Sequence, residues 1–268
     1  MKKNWTGERL ESFIFSRDAI EHLHRYALVV PYIKDKIVLD IACGEGYGSN
    51  LMSKEAKLVH SVDIDSDAIT AAKLKYKNDN LNFAVGSATQ IPTENHSVDV
   101  VVSFETIEHH DQHHEMMADI KRVLKPNGLL IISTPDKLYY SDKRNFKNPF
   151  HIKELYKQEF IDLVATQFKN LQVLTQKYCN GNSIIEREEA VNPIQFYSGS
   201  YSEVHTKTVN SLYLIIIASE STFDLQQASI FDGNLIANRE MLDQRNQSTT
   251  YKVGHFILFP FKFLKKKF

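Results

Sequence analysis

The run Val38-Leu39-Asp40-Ile41-Ala42-Cys43-Gly44-Glu45-Gly46-Tyr47-Gly48 constrains the fold more than any other part of the chain. An apolar stretch of strand length breaks into a turn with glycine at alternate positions, and a helix-like stretch follows. A continuous apolar run of this kind is buried on both faces, as in a parallel sheet. Glycines in a strand-to-helix turn let backbone amides approach a nucleotide-like ligand closely. The spacing departs from the dinucleotide fingerprint, whose third glycine would fall at position 49, where Ser49 stands. Asp40, near the strand end, is placed to accept from loop amides or from a ligand ammonium, and a purely structural tight turn is the competing reading.

From position 37 onward, short apolar runs alternate with longer amphipathic ones, the pattern of strands joined by crossover helices. Strands are expected near 37–42, 58–62, 81–85, 98–103 and 128–134, with two more at 171–176 and 211–219. Helices are expected at 17–30, 67–76, 111–124 and 153–168. Ala68, Ile69, Ala72 and Tyr76 share a face of the second, and Met116, Met117, Ile120, Val123 and Leu124 share one of the third. The polar segment 177–210 is too long for a simple connection and is expected to cover a ligand. This divides the chain into a helical cap (1–36), a core (37–219) containing that insertion, and a C-terminal extension (220–268).

The second strand ends in Val62-Asp63-Ile64-Asp65, where Asp63 is positioned for ribose hydroxyls and Asp65 for a helix cap. Gly86-Ser87-Ala88-Thr89 supplies small residues after the third strand. Taken in order with Val98-Asp99-Val100-Val101-Val102-Ser103-Phe104-Glu105, these motifs make the chain resemble the class I S-adenosylmethionine-dependent methyltransferases over about 21–219. The resemblance implies a Rossmann-like, seven-stranded, mostly parallel α/β sheet with helices on both faces and an antiparallel last strand, supplied by 211–219. It implies S-adenosylmethionine as cofactor, with Gly44, Gly46 and Gly48 facing the methionine moiety, Asp63 the ribose, and Ser87 with Ala88 the adenine. Asp40, Ala42, Tyr47, Ile64, Thr89 and Phe104 complete the expected cofactor set. Ser87 stands where many relatives carry Asp. The stretches 21–26 and 148–155 are similar to methyltransferases found with bacterial surface-polysaccharide enzymes.

After the fourth strand comes Glu105-Thr106-Ile107-Glu108-His109, which in a helical turn gathers Glu105, Glu108 and His109 on one side. The pattern resembles that of metal-dependent O-methyltransferases in which a later histidine completes the site, and His151 is the candidate. Glu105, Glu108, His109 and His151 are therefore the expected catalytic residues, and the expected ligands of a divalent ion such as Mg²⁺. A metal-free route has His109 or His151 as general base, and a structural role for Glu108 and His109 is the third reading. His110, His113 and His114 are expected on a solvated helix face, while His22 and His24 are left between core and pocket. Arg25, Tyr26, Tyr139 and Tyr140 are the substrate candidates. Lys143, Arg144, Tyr197 and Tyr201 fall in the same presumptive acceptor loops, where rings and cations suit sugar faces and phosphates.

The 268 residues carry a formal net charge of −1, which removes the whole-molecule field that attracts nucleic acid. Cys43 and Cys179 encode neither a disulfide framework nor a zinc site, which points to the cytoplasm. The tail 251–268 interleaves phenylalanines with lysines, a composition suited to peripheral contact with the inner face of a membrane, or to packing on the core. The expected activity is O-methylation of a sugar, nucleotide-sugar or lipid-linked glycan hydroxyl in polysaccharide biosynthesis. The alternatives are a quinone or lipidic phenol acceptor, or an inactive cofactor-binding subunit. Oligomeric state is left open.

Overall fold

The computed structural model describes residues 9–190 and 192–249. A helical segment, α1 (Arg17–Ile33), is capped by Ser16, whose side chain accepts from the Ala19 amide. The core follows as β1 (Ile37–Ile41), α2 (Tyr47–Met52), β2 (Leu58–Asp63), α3 (Ser66–Lys75), β3 (Leu81–Val85) and β4 (Val98–Phe104). After a 3₁₀ turn at Ile107–His109 come α4 (His113–Val123), β5 (Leu124–Pro135), the short α5 (Lys137–Tyr140), α6 (Lys157–Ala165) and β6 (Asn170–Cys179). The chain ends with β7 (Asn182–Arg187), the hairpin β8 (Tyr197–Gly199) and β9 (Val204–Thr206), β10 (Tyr213–Ser219), β11 (Ser229–Asp232) and α7 (Asn234–Gln247).

Nine strands form one sheet in the order β11-β7-β6-β10-β5-β4-β1-β2-β3. Strands β1 to β5 are parallel, and β10 runs antiparallel between β5 and β6. The seven expected strands are thus present with the antiparallel one as expected, but the sheet is larger. Polar segments at 182–187 and 229–232 add two antiparallel strands at one edge. The segment 177–210 therefore divides: its first part finishes β6 and forms β7 in the sheet, and only the exposed β8–β9 hairpin stands off it. The turn residues expected to separate α4 from the fifth strand are instead drawn into β5, with a register irregularity against β4. Lys125 is fixed there by Asp99 at 2.8 Å.

Alternation along the central strands fills two cores. Val38, Val100 and Val102 face the side covered by α1 and α2, whereas Leu39, Ile41 and Val101 face the side of α4 and α6. With β1 to β5 parallel, their carboxyl ends meet along one edge, where ligands bind in open α/β sheets. No described helix is long and apolar enough to cross a membrane. The basic-aromatic tail lies outside the described residues.

Candidate active site

The loops after β1 to β4, with α1 and the segment before it, enclose a cleft of about 360 Å³. Its floor is the glycine turn, where Ala42, Gly44 and Gly46 all take positive φ (57°, 55° and 85°). Gly44 faces the cleft, and a Cβ there would meet nothing nearer than the Arg9 side chain at 4.0 Å. Its amide donates to Asp63 Oδ2 at 2.8 Å. Asp63, buried at the end of β2, also accepts from the Asp65 amide at 2.9 Å and from Arg9 Nη2 at 3.3 Å. Arg9 bridges on to Asp65, whose carboxylate caps α3 and is held below the usual range by that guanidinium.

Of the expected cofactor set, Ala42, Gly44, Tyr47, Asp63, Ile64, Ser87, Ala88, Thr89 and Phe104 line the cleft. Asp40, Gly46 and Gly48 do not. Asp40 is buried beneath the turn, accepts from Ser49 Oγ at 2.5 Å, and is pushed up to about 7 by desolvation. Gly46 admits the Phe83 ring, which would lie 2.7 Å from an added Cβ, and Gly48 admits Tyr26, at 1.9 Å. Gly46 thus makes room for a ring of β3 and Gly48 for one of α1. Tyr26 is wedged edge-on between Tyr47 and Phe104, with ring centroids 5.7 and 5.3 Å away, and also borders the cleft.

On the acceptor side, the structure brings together Glu108, His109 and His151, with one donor atom of each within 4.8 Å of the others. Glu108 is buried, takes one hydrogen bond from Thr134 Oγ1 at 3.1 Å, and has no hydrogen-bond partner for Oε1. Desolvation, reinforced by the charge of Glu105, drives its carboxyl well above the usual range. His109 Nδ1 lies 3.1 Å from the Phe150 carbonyl, which places that proton on Nδ1. His151 is held by Glu154 Oε1 at 2.6 Å from Nδ1 and by Asn148 Nδ2 at 3.0 Å from Nε2. Tyr140 stacks on it, 5.4 Å between centroids, so one expected substrate residue instead braces the imidazole.

Glu105 leaves the expected metal set. Its backbone adopts φ 53°, turning the carboxylate back to accept from Ser133 Oγ at 2.6 Å and to face Arg25 Nη1 at 3.6 Å. Arg25 is fully buried behind it, donating to Gln176 Oε1 at 2.8 Å and lying 4.7 Å from the Tyr213 ring centre, and is not among the residues lining the cleft. Tyr139 sits under the Lys143 ammonium, and Tyr197 is exposed on the β8–β9 hairpin with Tyr201 beside it. None of these three lines a described pocket. His113 is buried against the His110 carbonyl rather than solvated, and His110 itself lines the cleft. His22 is a cleft residue, 3.0 Å from Tyr47 Oη and held neutral by burial and by Arg25, whereas His24 is structural.

Sequence reasoning missed Arg9, Leu10, Thr106 and Gln112 among the lining residues, and Asn148 and Glu154 behind His151. Glu154 carried a signal in its three-residue spacing from His151; Arg9 carried none, because its partners lie more than fifty positions away.

Residues 39–132 match the family model of a methyltransferase domain. The chain is 35% identical over 171 residues to a Mycolicibacterium smegmatis protein named "Probable S-adenosylmethionine-dependent methyltransferase", covering 60% of this chain and 63% of that protein. It is 31% identical over 121 residues to the ubiquinone biosynthesis O-methyltransferase of Glaesserella parasuis, covering 40% and 51%. The chain thus spans under two thirds of these curated relatives. A solved S-adenosylmethionine-dependent methyltransferase from Thermotoga maritima superposes with a TM-score of 0.54 at 16% identity over 76% of this chain and 90% of its own, a likeness of fold. Residues 39–132 thus match a methyltransferase domain, and the curated relative is one named for S-adenosylmethionine. The cleft fits it: the Gly44 turn is open, Asp63 presents a buried carboxylate, and the exposed Ile64 beside it offers an apolar face to a planar ring.

Proposed function

We propose that this chain, built on a class I S-adenosylmethionine-dependent methyltransferase domain, methylates a hydroxyl of a sugar, nucleotide-sugar or lipid-linked glycan. The grouping of Glu108, His109 and His151 carries the oxygen acceptor, because a hydroxyl must lose its proton to become a competent nucleophile. The bound cofactor supplies a methyl already activated on a sulfonium, so the protein's task is to hold, align and deprotonate. Asp63 would receive the ribose hydroxyls, Ile64 and Ala88 would flank the adenine, and the Gly44 turn would hold the methionine end.

Two routes for the proton are supported. Glu108, His109 and His151 would hold a divalent cation that lowers the pKa of a coordinated hydroxyl. The partnerless, buried Glu108 Oε1 favours this route, as does the way an oxygen orients each imidazole through Nδ1. With Glu105 gone from the set, two imidazoles and one carboxylate suit a borderline ion better than Mg²⁺. Alternatively His151 is the general base with Glu154 as its orienting carboxylate, which their 2.6 Å contact favours. A quinone or lipidic phenol is the second acceptor class, supported by the similarity to the ubiquinone enzyme.

Chelation followed by titration with Mg²⁺, Mn²⁺ and Zn²⁺ separates the routes: activity indifferent to chelator leaves the base. On either route His151→Ala should lower turnover by about 100-fold or more while S-adenosylhomocysteine affinity, by calorimetry, stays within about twofold. Full turnover in that variant removes the assignment.

A further inference from the structure

A second pocket, of about 560 Å³, opens on the far side of His151. Its wall includes Lys137, Asn145, Lys147, Lys153 and Asp142, and His151 itself. The two carboxylates on this wall are committed: Glu154 to His151, and Asp142 to the Tyr156 hydroxyl at 2.8 Å. Three ammonium groups stand on the same wall as these two carboxylates. Lys137 lies over the Tyr156 ring at 4.6 Å, and Lys147 and Lys153 form no ion pair among the described residues. Next to them Lys143 and Arg144 stand over tyrosine rings. In a protein of net charge −1, the segment 137–154 sets five cations against Asp142 and Glu154, a local excess of three positive charges.

The pocket is also in register with the reacting groups. The amides of Ile152 and Lys153 donate to the Glu108 carbonyl at 2.8 and 3.1 Å, tying the lysine-bearing loop to the Glu108 turn. His109 lines the cofactor cleft, His151 lines this pocket, and their rings stand edge to face with centroids 5.2 Å apart. A molecule anchored in the pocket would present its adjacent atoms to the imidazole pair, the placement that proximity requires.

Resting on the O-methyltransferase reading above, we propose that this pocket binds a phosphoryl or diphosphoryl group of the acceptor, held chiefly by Lys137, Lys147 and Lys153. The acceptor is then an anionic sugar conjugate, its diphosphate belonging either to a nucleotide or to a lipid carrier. Ammonium groups serve here as point charges toward phosphate oxygens, and their effect should weaken as salt rises.

The test is calorimetry on the full chain saturated with S-adenosylhomocysteine, in metal-free buffer, with inorganic pyrophosphate, UDP-glucose and farnesyl diphosphate as probes. Pyrophosphate should bind one to one, about tenfold or more weaker in the Lys147→Glu/Lys153→Glu double variant, and unchanged in Lys54→Glu at the opposite end of the sheet. Retained S-adenosylhomocysteine affinity shows that the double variant is folded. UDP-glucose binding tighter than pyrophosphate identifies a nucleotide source, tighter farnesyl diphosphate a lipid source, and equality a site that reads the phosphates alone. No pyrophosphate binding, or binding indifferent to the double substitution, overturns the phosphoryl pocket and leaves the methyltransferase reading standing. Failure to bind S-adenosylhomocysteine overturns both.

Discussion

Asp63 holds the glycine turn, the start of α3 and Arg9 through one carboxylate, since Gly44, Asp65 and Arg9 all donate to it. Its replacement therefore removes the carboxylate proposed to receive the ribose and also loosens the glycine turn. Asp63→Ala should weaken S-adenosylhomocysteine binding by about tenfold or more, and unchanged affinity by calorimetry would remove the ribose assignment. At this scale the sequence was most informative where chemistry is local. Asp63 and Gly44 follow from strand-end position and turn geometry, and the Glu108-His109 pair from its place after the fourth strand. Glu105 stands apart from Glu108, His109 and His151, while still lining the cleft, because side-chain spacing assumes ordinary backbone and its φ is left-handed. For Gly46 and Gly48 the resemblance implied a place facing the methionine, and the structure sets the Phe83 and Tyr26 rings against them.

Among the elements, α1 and α2 meet through that ring: Tyr26 occupies the space of the missing Gly48 side chain and braces Tyr47 and Phe104, two walls of the cleft. An added methyl has no room, so Gly48→Ala should destabilise the fold by about 1–3 kcal/mol in urea unfolding. Adding Tyr26→Ala should cost less than the sum of the two single changes, because the ring and the methyl contest one volume. Strict additivity would show that the contact is not what matters. The central strands were legible because burial on both faces leaves unbroken apolar runs. Strands β7 and β11 were not, since Asn182–Arg187 and Ser229–Asp232 are short and largely polar. They become strands only by pairing with each other and with β6, a non-local cause.

Across the whole molecule, His24 fastens the cap to that added edge. Its Nδ1 lies 2.9 Å from Ser183 Oγ of β7 and its Nε2 3.0 Å from Ser229 Oγ of β11. Burial, with Arg25 nearby, lowers its pKa to about 4 from the ordinary 6.5. The folded state thus resists protonation that the unfolded chain accepts, so the stability tied to this group is present above pH 6.5 and lost as pH falls toward 4. Thermal melts across pH 4–8 should show that decline, and His24→Gln should be less stable at pH 7.5 but flatter with pH; an equally steep profile in the variant would shift the cause to other groups.

The Arg9 bridge to Asp63 and Asp65, and the position of Arg239 5.6 Å from the Phe15 ring centre, have a practical side for anyone handling this protein. The segment leading into α1 is part of the wall around the cofactor, and α7 leans on that same segment. Arg9 and Leu10 therefore tie the handling of this segment to the cleft: a cut or substitution at either one removes part of its wall.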